Sequence, residues 1–92
     1  MTSRAVPVVN QLGMHARAAA KFVHLASRFD SRIRVARDSG EMDGKSIMGL
    51  LLLAAARGTT ITITAEGTDE LAAVDALTEL VESGFGEGTC IA

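Results

Sequence analysis

His15 and Arg17 stand two residues apart in Asn10-Gln11-Leu12-Gly13-Met14-His15-Ala16-Arg17-Ala18-Ala19-Ala20, and this is the segment whose residue types and spacing suit chemistry. A glycine closes an extended run, the histidine precedes a helical pattern, and the arginine falls in the first turn. A helix start exposes unpaired N–H groups and the positive end of the macrodipole, so it stabilises anions. A histidine placed there is a nucleophile able to take a phosphoryl group, because much of an ordinary imidazole is unprotonated near neutral pH. Arg17 would be the fixed cation beside the phosphoryl oxygens. By itself, a histidine before a helix is an exposed loop residue or a cap. Gly13, the adjoining helix, Arg17 and the small side chains of Ala16, Ala18, Ala19 and Ala20, which leave the ring accessible, favour the chemical reading.

Other chemistries fit these residues less well. His15 and His24 lie nine residues apart, which is a rotation of about 900° on a helix and puts the rings on opposite sides. With no carboxylate or cysteine beside either, no metal site is expected. Cys90 is the only cysteine, so neither an intrachain disulfide nor a cysteine zinc cage can form. Ser46 lies far along the chain from His15 and nothing places an acid behind the ring, so a hydrolytic triad is poorly supported. A small α+β acyl-phosphate hydrolase would use a glycine-rich cradle, yet Gly13 is the only glycine between Asn10 and His15. Hydrolysis of an acyl phosphate would reveal that alternative. A regulatory binding domain that never carries phosphate is a third reading, and the intact His15/Arg17 pair argues against it. No cofactor is expected.

The elements that must position this pair are legible from periodicity. Val6-Pro7-Val8-Val9 reads as a strand, and Pro7, which cannot donate to a ladder, puts it at a sheet edge. Residues 16–29 read as an amphipathic helix: Ala18, Ala19, Phe22, Val23, Leu25, Ala26 and Phe29 share one arc, and Arg17, Lys21, His24 and Arg28 form a cationic stripe opposite. Ile33 and Val35 alternate with Arg32, Arg34 and Arg37 in a strand with one wet face. Asp38-Ser39-Gly40 is a turn signal, Glu41-Met42-Asp43 a short returning strand, and Gly44 its end.

Ser46 is a good N-cap for the apolar stretch Ile47-Met48-Gly49-Leu50-Leu51-Leu52-Leu53. A short helix that is apolar on every side cannot hide all of itself in so small a protein, so Ile47, Met48, Leu51 and Leu52 are expected to leave a docking patch exposed. Arg57-Gly58 ends this segment. Thr60-Ile61-Thr62-Ile63-Thr64-Ala65-Glu66 alternates as a strand, and Gly67-Thr68-Asp69-Glu70 starts a last helix with Leu71, Val74, Leu77, Leu80 and Val81 as its buried stripe. Gly84 suits the C′ position, and Gly86-Glu87-Gly88-Thr89-Cys90 reads as a mobile tail. The order βαββαβα, with no repeat or linker, makes one α+β domain spanning residues 1–92: a two-layer open-faced sandwich, a four-stranded antiparallel sheet with three helices on one face.

Composition bounds the function. A hydrophobic fraction of 48% is too high for disorder. The longest apolar run, residues 47–56, is ten residues, short of the roughly 18 needed to cross a membrane. The start Met1-Thr2-Ser3-Arg4-Ala5 lacks the apolar core of a secretory signal, so a cytoplasmic protein is expected. A net charge of −2, no Trp or Tyr and only Phe22, Phe29 and Phe85 argue against nucleic acid as a partner. Residues 1–45 carry a net +4 and residues 46–92 a net −6, so the basic half should face acidic partners.

Gly13-Met14-His15-Ala16-Arg17-Ala18-Ala19 resembles the active-site signature of HPr, the histidine-containing phosphocarrier family of the bacterial phosphotransferase system, and Asp43-Gly44-Lys45-Ser46-Ile47-Met48-Gly49-Leu50-Leu51-Leu52-Leu53-Ala54 resembles the family's second signature, around its regulatory serine. Their separation, the chain length and the element order all match. The resemblance implies that enzyme I, charged by phosphoenolpyruvate, phosphorylates His15 on Nδ1, and that an enzyme IIA domain receives the group. It also implies that some hosts have an HPr kinase/phosphorylase acting on Ser46. From the cationic stripe and the apolar patch, partners are expected to dock on Ala20, Lys21, His24, Ile47, Met48, Leu51 and Leu52. The carrier would be a monomer, and it would not be an enzyme in the turnover sense. One departure is Ala18 where the family usually has proline. Alanine keeps the helix and leaves an N–H at position 18 that could contact the phosphate. A small residue there also occurs in nitrogen-type relatives, which leaves the sugar or nitrogen-regulatory branch open.

Overall fold

The computed structural model describes residues 1–10, 13–38, 40–53 and 57–86. Among these the chain forms β1 (Thr2–Pro7), α1 (Ala16–Ala26), β2 (Arg32–Arg37), β3 (Gly40–Asp43), α2 (Ile47–Leu53), β4 (Thr60–Glu66) and α3 (Glu70–Glu82), followed by a short turn at Gly84–Gly86. The four strands make one antiparallel sheet in the order β1-β4-β2-β3. The three helices cover one face, as the element order implied. Strand side chains alternate between faces, so Val6, Ile33, Val35, Ile61, Ile63 and Ala65 are buried under the helices, whereas Ser3, Arg32, Arg34 and Glu66 are exposed on the open face.

Pro7 does sit in an edge strand, opposite Thr60. That strand begins at Thr2, four residues earlier than the valine run indicates. Thr2 to Ala5 pair with Ala65 to Thr62, backbone to backbone, so an apolar pattern does not announce them. At the other end Val8, although past the strand, still donates to the Thr59 carbonyl (2.9 Å) and accepts from Gly58 N–H (2.8 Å). Helix α1 stops at Ala26 rather than Phe29. The bonds from Arg28 N–H to Leu25 O and from Phe29 N–H to Ala26 O tighten the last turn, and Phe29 still packs against the core.

Leu71 corrects the expected stripe of α3: it is 61% exposed. The buried residues are Ala73, Val74, Leu77, Thr78 and Val81, and on a 100° wheel Leu71 lies about 90° from the centre of that arc. Small Ala73 and Thr78 take positions that hydrophobicity alone would not assign them. The start of α3 falls where the sequence places it, with Glu70 in the first turn. Asp69 is the N-cap residue, its carbonyl accepting Ala73 N–H (2.9 Å), but its carboxylate bonds no helix N–H and instead accepts from Asp30 N–H and Ser31 N–H (both 2.9 Å) and from the Ser31 hydroxyl. It thereby ties the loop between α1 and β2 to α3. Those bonds, the Ser31 hydroxyl foremost, hold the Asp69 carboxyl below its ordinary value. Glu70 accepts from the Thr2 hydroxyl (2.6 Å), the Met1 ammonium (2.9 Å) and Gly67 N–H (3.2 Å), and in that order these donors lower its pKa to about 2.

Gly84 takes the left-handed C′ conformation, as expected (φ 69°), but Phe85 and Gly86 follow it there (φ 58° and 70°). A non-glycine residue in that region is strained by about 1 kcal/mol, and complete burial of the Phe85 ring offsets it. Ser39 of the turn between β2 and β3, and residues 87–90 of the expected tail, lie outside the described residues.

Candidate functional site

The segment before α1 is pinned by two buried side chains, Asn10 and Met14. Between them Gly13 adopts φ 67°, which only glycine takes without strain. Gly13 N–H donates to the Asn10 carbonyl (3.1 Å), and the Gly13 carbonyl accepts from His15 N–H (2.9 Å). The chain therefore turns sharply and delivers His15, half-buried, to the N-cap of α1 with an extended backbone (φ −78°, ψ 179°).

In this position the His15 ring folds back on the helix it caps. Nδ1 accepts from Arg17 N–H at 3.3 Å, while the His15 carbonyl accepts from Ala19 N–H at 2.8 Å. Because Nδ1 accepts, the neutral ring carries its proton on Nε2. The Nδ1 lone pair is thus aimed at the positive end of α1. The Arg17 side chain is exposed and makes no ion pair among the described residues. Ala18 follows Arg17 in the first turn of α1. It is wholly buried, and the amide that meets the ring is that of Arg17.

The cationic stripe is thinner than the helical wheel suggests. Lys21 donates from Nζ to the Phe85 carbonyl (2.8 Å), just past the end of α3. Lys45 donates to the Phe29 carbonyl past α1 (2.7 Å), and Arg37 to the Leu53 carbonyl at the end of α2 (3.0 Å). Arg37 thus sits at the electronegative C-terminal end of α2, where cations are favoured, while the two lysines tie down the turns that follow α1 and α3. Arg4 pairs with Asp75 and Arg34 with Glu41. Much of the basic excess of residues 1–45 therefore serves the fold, while Arg17, Ala20 and His24 stay exposed along α1 and Arg28 just past its end.

Ser46 caps α2 as its sequence setting implies, accepting Gly49 N–H on Oγ at 3.0 Å while its carbonyl accepts Leu50 N–H at 3.1 Å. Gly44 before it must be small: a Cβ there would stand 2.5 Å from Ile33 Cγ2. Beyond the cap, Ile47, Met48 and Leu52 are 41%, 67% and 70% exposed. Leu51 is half-buried against the core and joins the patch only in part. Helices α1 and α2 pack side by side, so the exposed residues of both lie in one layer.

No group of three His, Cys, Asp or Glu side chains suited to a metal occurs among the described residues, and no helix is long and apolar enough to cross a membrane. Asn10 is a residue of this site to which the sequence pattern alone assigns no role. A polar residue at the end of a valine-rich strand, three before a glycine, was its signal.

Comparison with known proteins places these features in context. A family model described as the PTS HPr component phosphorylation site matches residues 2–83. The phosphocarrier protein HPr of Neisseria meningitidis serogroup A is 47% identical over 88 residues, covering 96% of this chain and 99% of that protein. The crystal structure of HPr from Thermoanaerobacter tengcongensis superposes with a TM-score of 0.91 at 44% identity, covering 95% and 98% of the two chains. A second structure from that organism, described as an HPr dimer, matches with a TM-score of 0.75 at 44% identity, covering 95% of this chain and all of that one.

Proposed function

This chain belongs to the HPr family of phosphocarriers, and from that premise we propose that it accepts a phosphoryl group from phosphorylated enzyme I on His15 and passes it to an enzyme IIA domain. The observation that carries the reading is the His15 ring at the N-cap of α1, with Nδ1 held by Arg17 N–H. In the forward step the Nδ1 lone pair attacks phosphorus, an N–P bond forms on His15, and the bond to the donor breaks. The attack releases Arg17 N–H from the ring nitrogen, which leaves it free to bind a phosphoryl oxygen, and the guanidinium on the same turn adds a charge-assisted donor. Stabilisation by one exposed helix end is modest, so the group stays transferable. In the second step an acceptor nucleophile attacks the same phosphorus and the electron pair returns to Nδ1. The protein is regenerated only after both steps, which makes it a carrier rather than a catalyst.

Exposed Ala20 and His24 on α1 and Ile47, Met48 and Leu52 on α2, with the partly exposed Leu51, are the proposed docking surface. Arg17 and Arg28 would meet acidic partners, and Lys21 contributes its stem while its ammonium holds Phe85. An apolar centre edged by cations suits weak, fast association with acidic partners. Ser46, at the border of this surface, is proposed as the target of an HPr kinase/phosphorylase. The proposed working form is a cytoplasmic monomer.

Incubation with enzyme I and 32P-phosphoenolpyruvate tests this reading. It should place close to one phosphate on each chain, lost in acid and retained in alkali as a phosphohistidine is. A chain that stays unlabelled, or a label stable to acid, refutes it.

A further inference from the structure

We propose that Asn10 is a positioning residue for phosphoryl transfer, its side chain locking the turn that presents His15. The inference rests on the carrier reading above. Asn10 is completely buried and grips Gly13 at both of its polar atoms. Its backbone carbonyl accepts Gly13 N–H at 3.1 Å, and its side-chain Nδ2 donates to the Gly13 carbonyl at 2.7 Å. That carbonyl is also the acceptor of His15 N–H at 2.9 Å. Its two lone pairs are therefore committed, one to Asn10 and one to His15.

The consequence is directional. Gly13 at φ 67° has no Cβ to restrict it, so the peptide plane that follows needs a restraint from outside the backbone. Nδ2 fixes that plane from inside the protein. The plane fixes His15 N–H, and His15, held in its extended conformation, turns Nδ1 onto Arg17 N–H. Neighbouring anchors do not replace this grip: Val8 is bonded to Gly58 and Thr59 before the turn and Met14 is buried after it, but neither orients the Gly13 carbonyl. The chemistry of the position is equally narrow. A serine is too short to span the turn, an aspartate would set an oxygen against the carbonyl oxygen, and an alanine leaves the carbonyl with one donor. A buried amide is costly unless it is hydrogen-bonded, which is consistent with a specific task for this one. Because small displacements of a nucleophile cost rate more than affinity, Asn10 should govern the chemical step and leave docking alone.

The test compares the parent chain with Asn10→Ala and Asn10→Asp. Single-turnover transfer from 32P-phosphorylated enzyme I is followed by rapid quench over a range of acceptor concentrations, and the His15 ring nitrogens and Arg17 amide by NMR. In both variants the limiting rate should fall on the order of tenfold or more, with the half-saturating concentration unchanged and the Arg17 amide and His15 Nδ1 resonances displaced. A limiting rate equal to the parent's, or a loss confined to half-saturation with parental ring resonances, overturns the proposal. Should neither variant fold, hydrogen exchange on the parent decides. The His15 amide should be protected by its bond to Gly13, and exchange at the free-peptide rate overturns the proposal. A parent chain that is never labelled refutes the carrier reading instead, while a labelled parent with a variant of equal rate refutes only the role of Asn10.

Discussion

Ser46 offers a prediction in which stability and transfer move independently. In the fold its Oγ accepts Gly49 N–H at 3.0 Å and so satisfies one of the unpaired donors at the start of α2. Ser46→Ala removes that bond and keeps the bond from Leu50 N–H to the Ser46 carbonyl. Loss of an N-cap costs about 1 kcal/mol, which for a domain of this size lowers Tm by roughly 4–8 °C. Transfer should be nearly parental, because Ile47, Met48 and Leu52 are unchanged. Ser46→Asp reverses the pattern. A carboxylate also caps, and the helix dipole favours its charge, so Tm should stay within about 2 °C of the parent. That charge now borders Ile47 and Met48, 41% and 67% exposed; it must be desolvated on docking and it repels an acidic partner. Transfer from enzyme I should slow by at least about tenfold, or ~1.4 kcal/mol. Stopped-flow transfer and thermal melts on both variants read the two effects separately. Parental transfer by Ser46→Asp would leave Ser46 a structural cap only, and a parental Tm for Ser46→Ala would show that the cap contributes nothing.

Arg17→Ala should slow phosphoryl transfer by one to two orders of magnitude, the ~1.5–3 kcal/mol of a charge-assisted hydrogen bond, with Tm nearly unchanged; unchanged kinetics would reduce Arg17 to a solvated surface residue. Acid should act through Glu70, whose pKa falls from an ordinary 4.5 to about 2 on folding. The stability linked to a depressed carboxylate is complete above its unfolded value and is lost as pH falls through the folded one, so Tm of the parent should drop more steeply than that of Glu70→Gln between pH 4.5 and 2, and parallel curves would contradict the linkage. Chemical-shift mapping with enzyme I should perturb the exposed residues of α1 and α2 and spare α3, and largest shifts on α3 would misplace the docking surface.

Periodic signals carried most of the fold. Ile61, Ile63 and Ala65 are buried as alternation requires, and Ala18, Ala19, Phe22 and Ala26 as the helical arc requires. What escaped the sequence is set by contacts between distant residues. Lys21 reads as part of a cationic face, yet its ammonium sits on a carbonyl 64 positions away. Asp69 reads only as part of a helix start, yet its carboxylate binds the Asp30–Ser31 loop. Leu71 reads as core because it is leucine, although its angle on α3 places it at the rim. At the site, the His15/Arg17 pair was visible because its geometry is local to one helix start. The grip of Asn10 on Gly13 was not visible, because a buried asparagine and a turn asparagine are alike in sequence.

The central claim is that His15, and not His24, carries the phosphoryl group. His15 caps α1 with its ring on the Arg17 amide, whereas His24 is exposed in the last turn of the same helix. The most direct measurement is labelling of the parent, His15→Ala and His24→Ala by enzyme I and 32P-phosphoenolpyruvate, with melts confirming that both variants are folded. The parent and His24→Ala should be fully labelled, and His15→Ala not at all. Label retained by folded His15→Ala would contradict it.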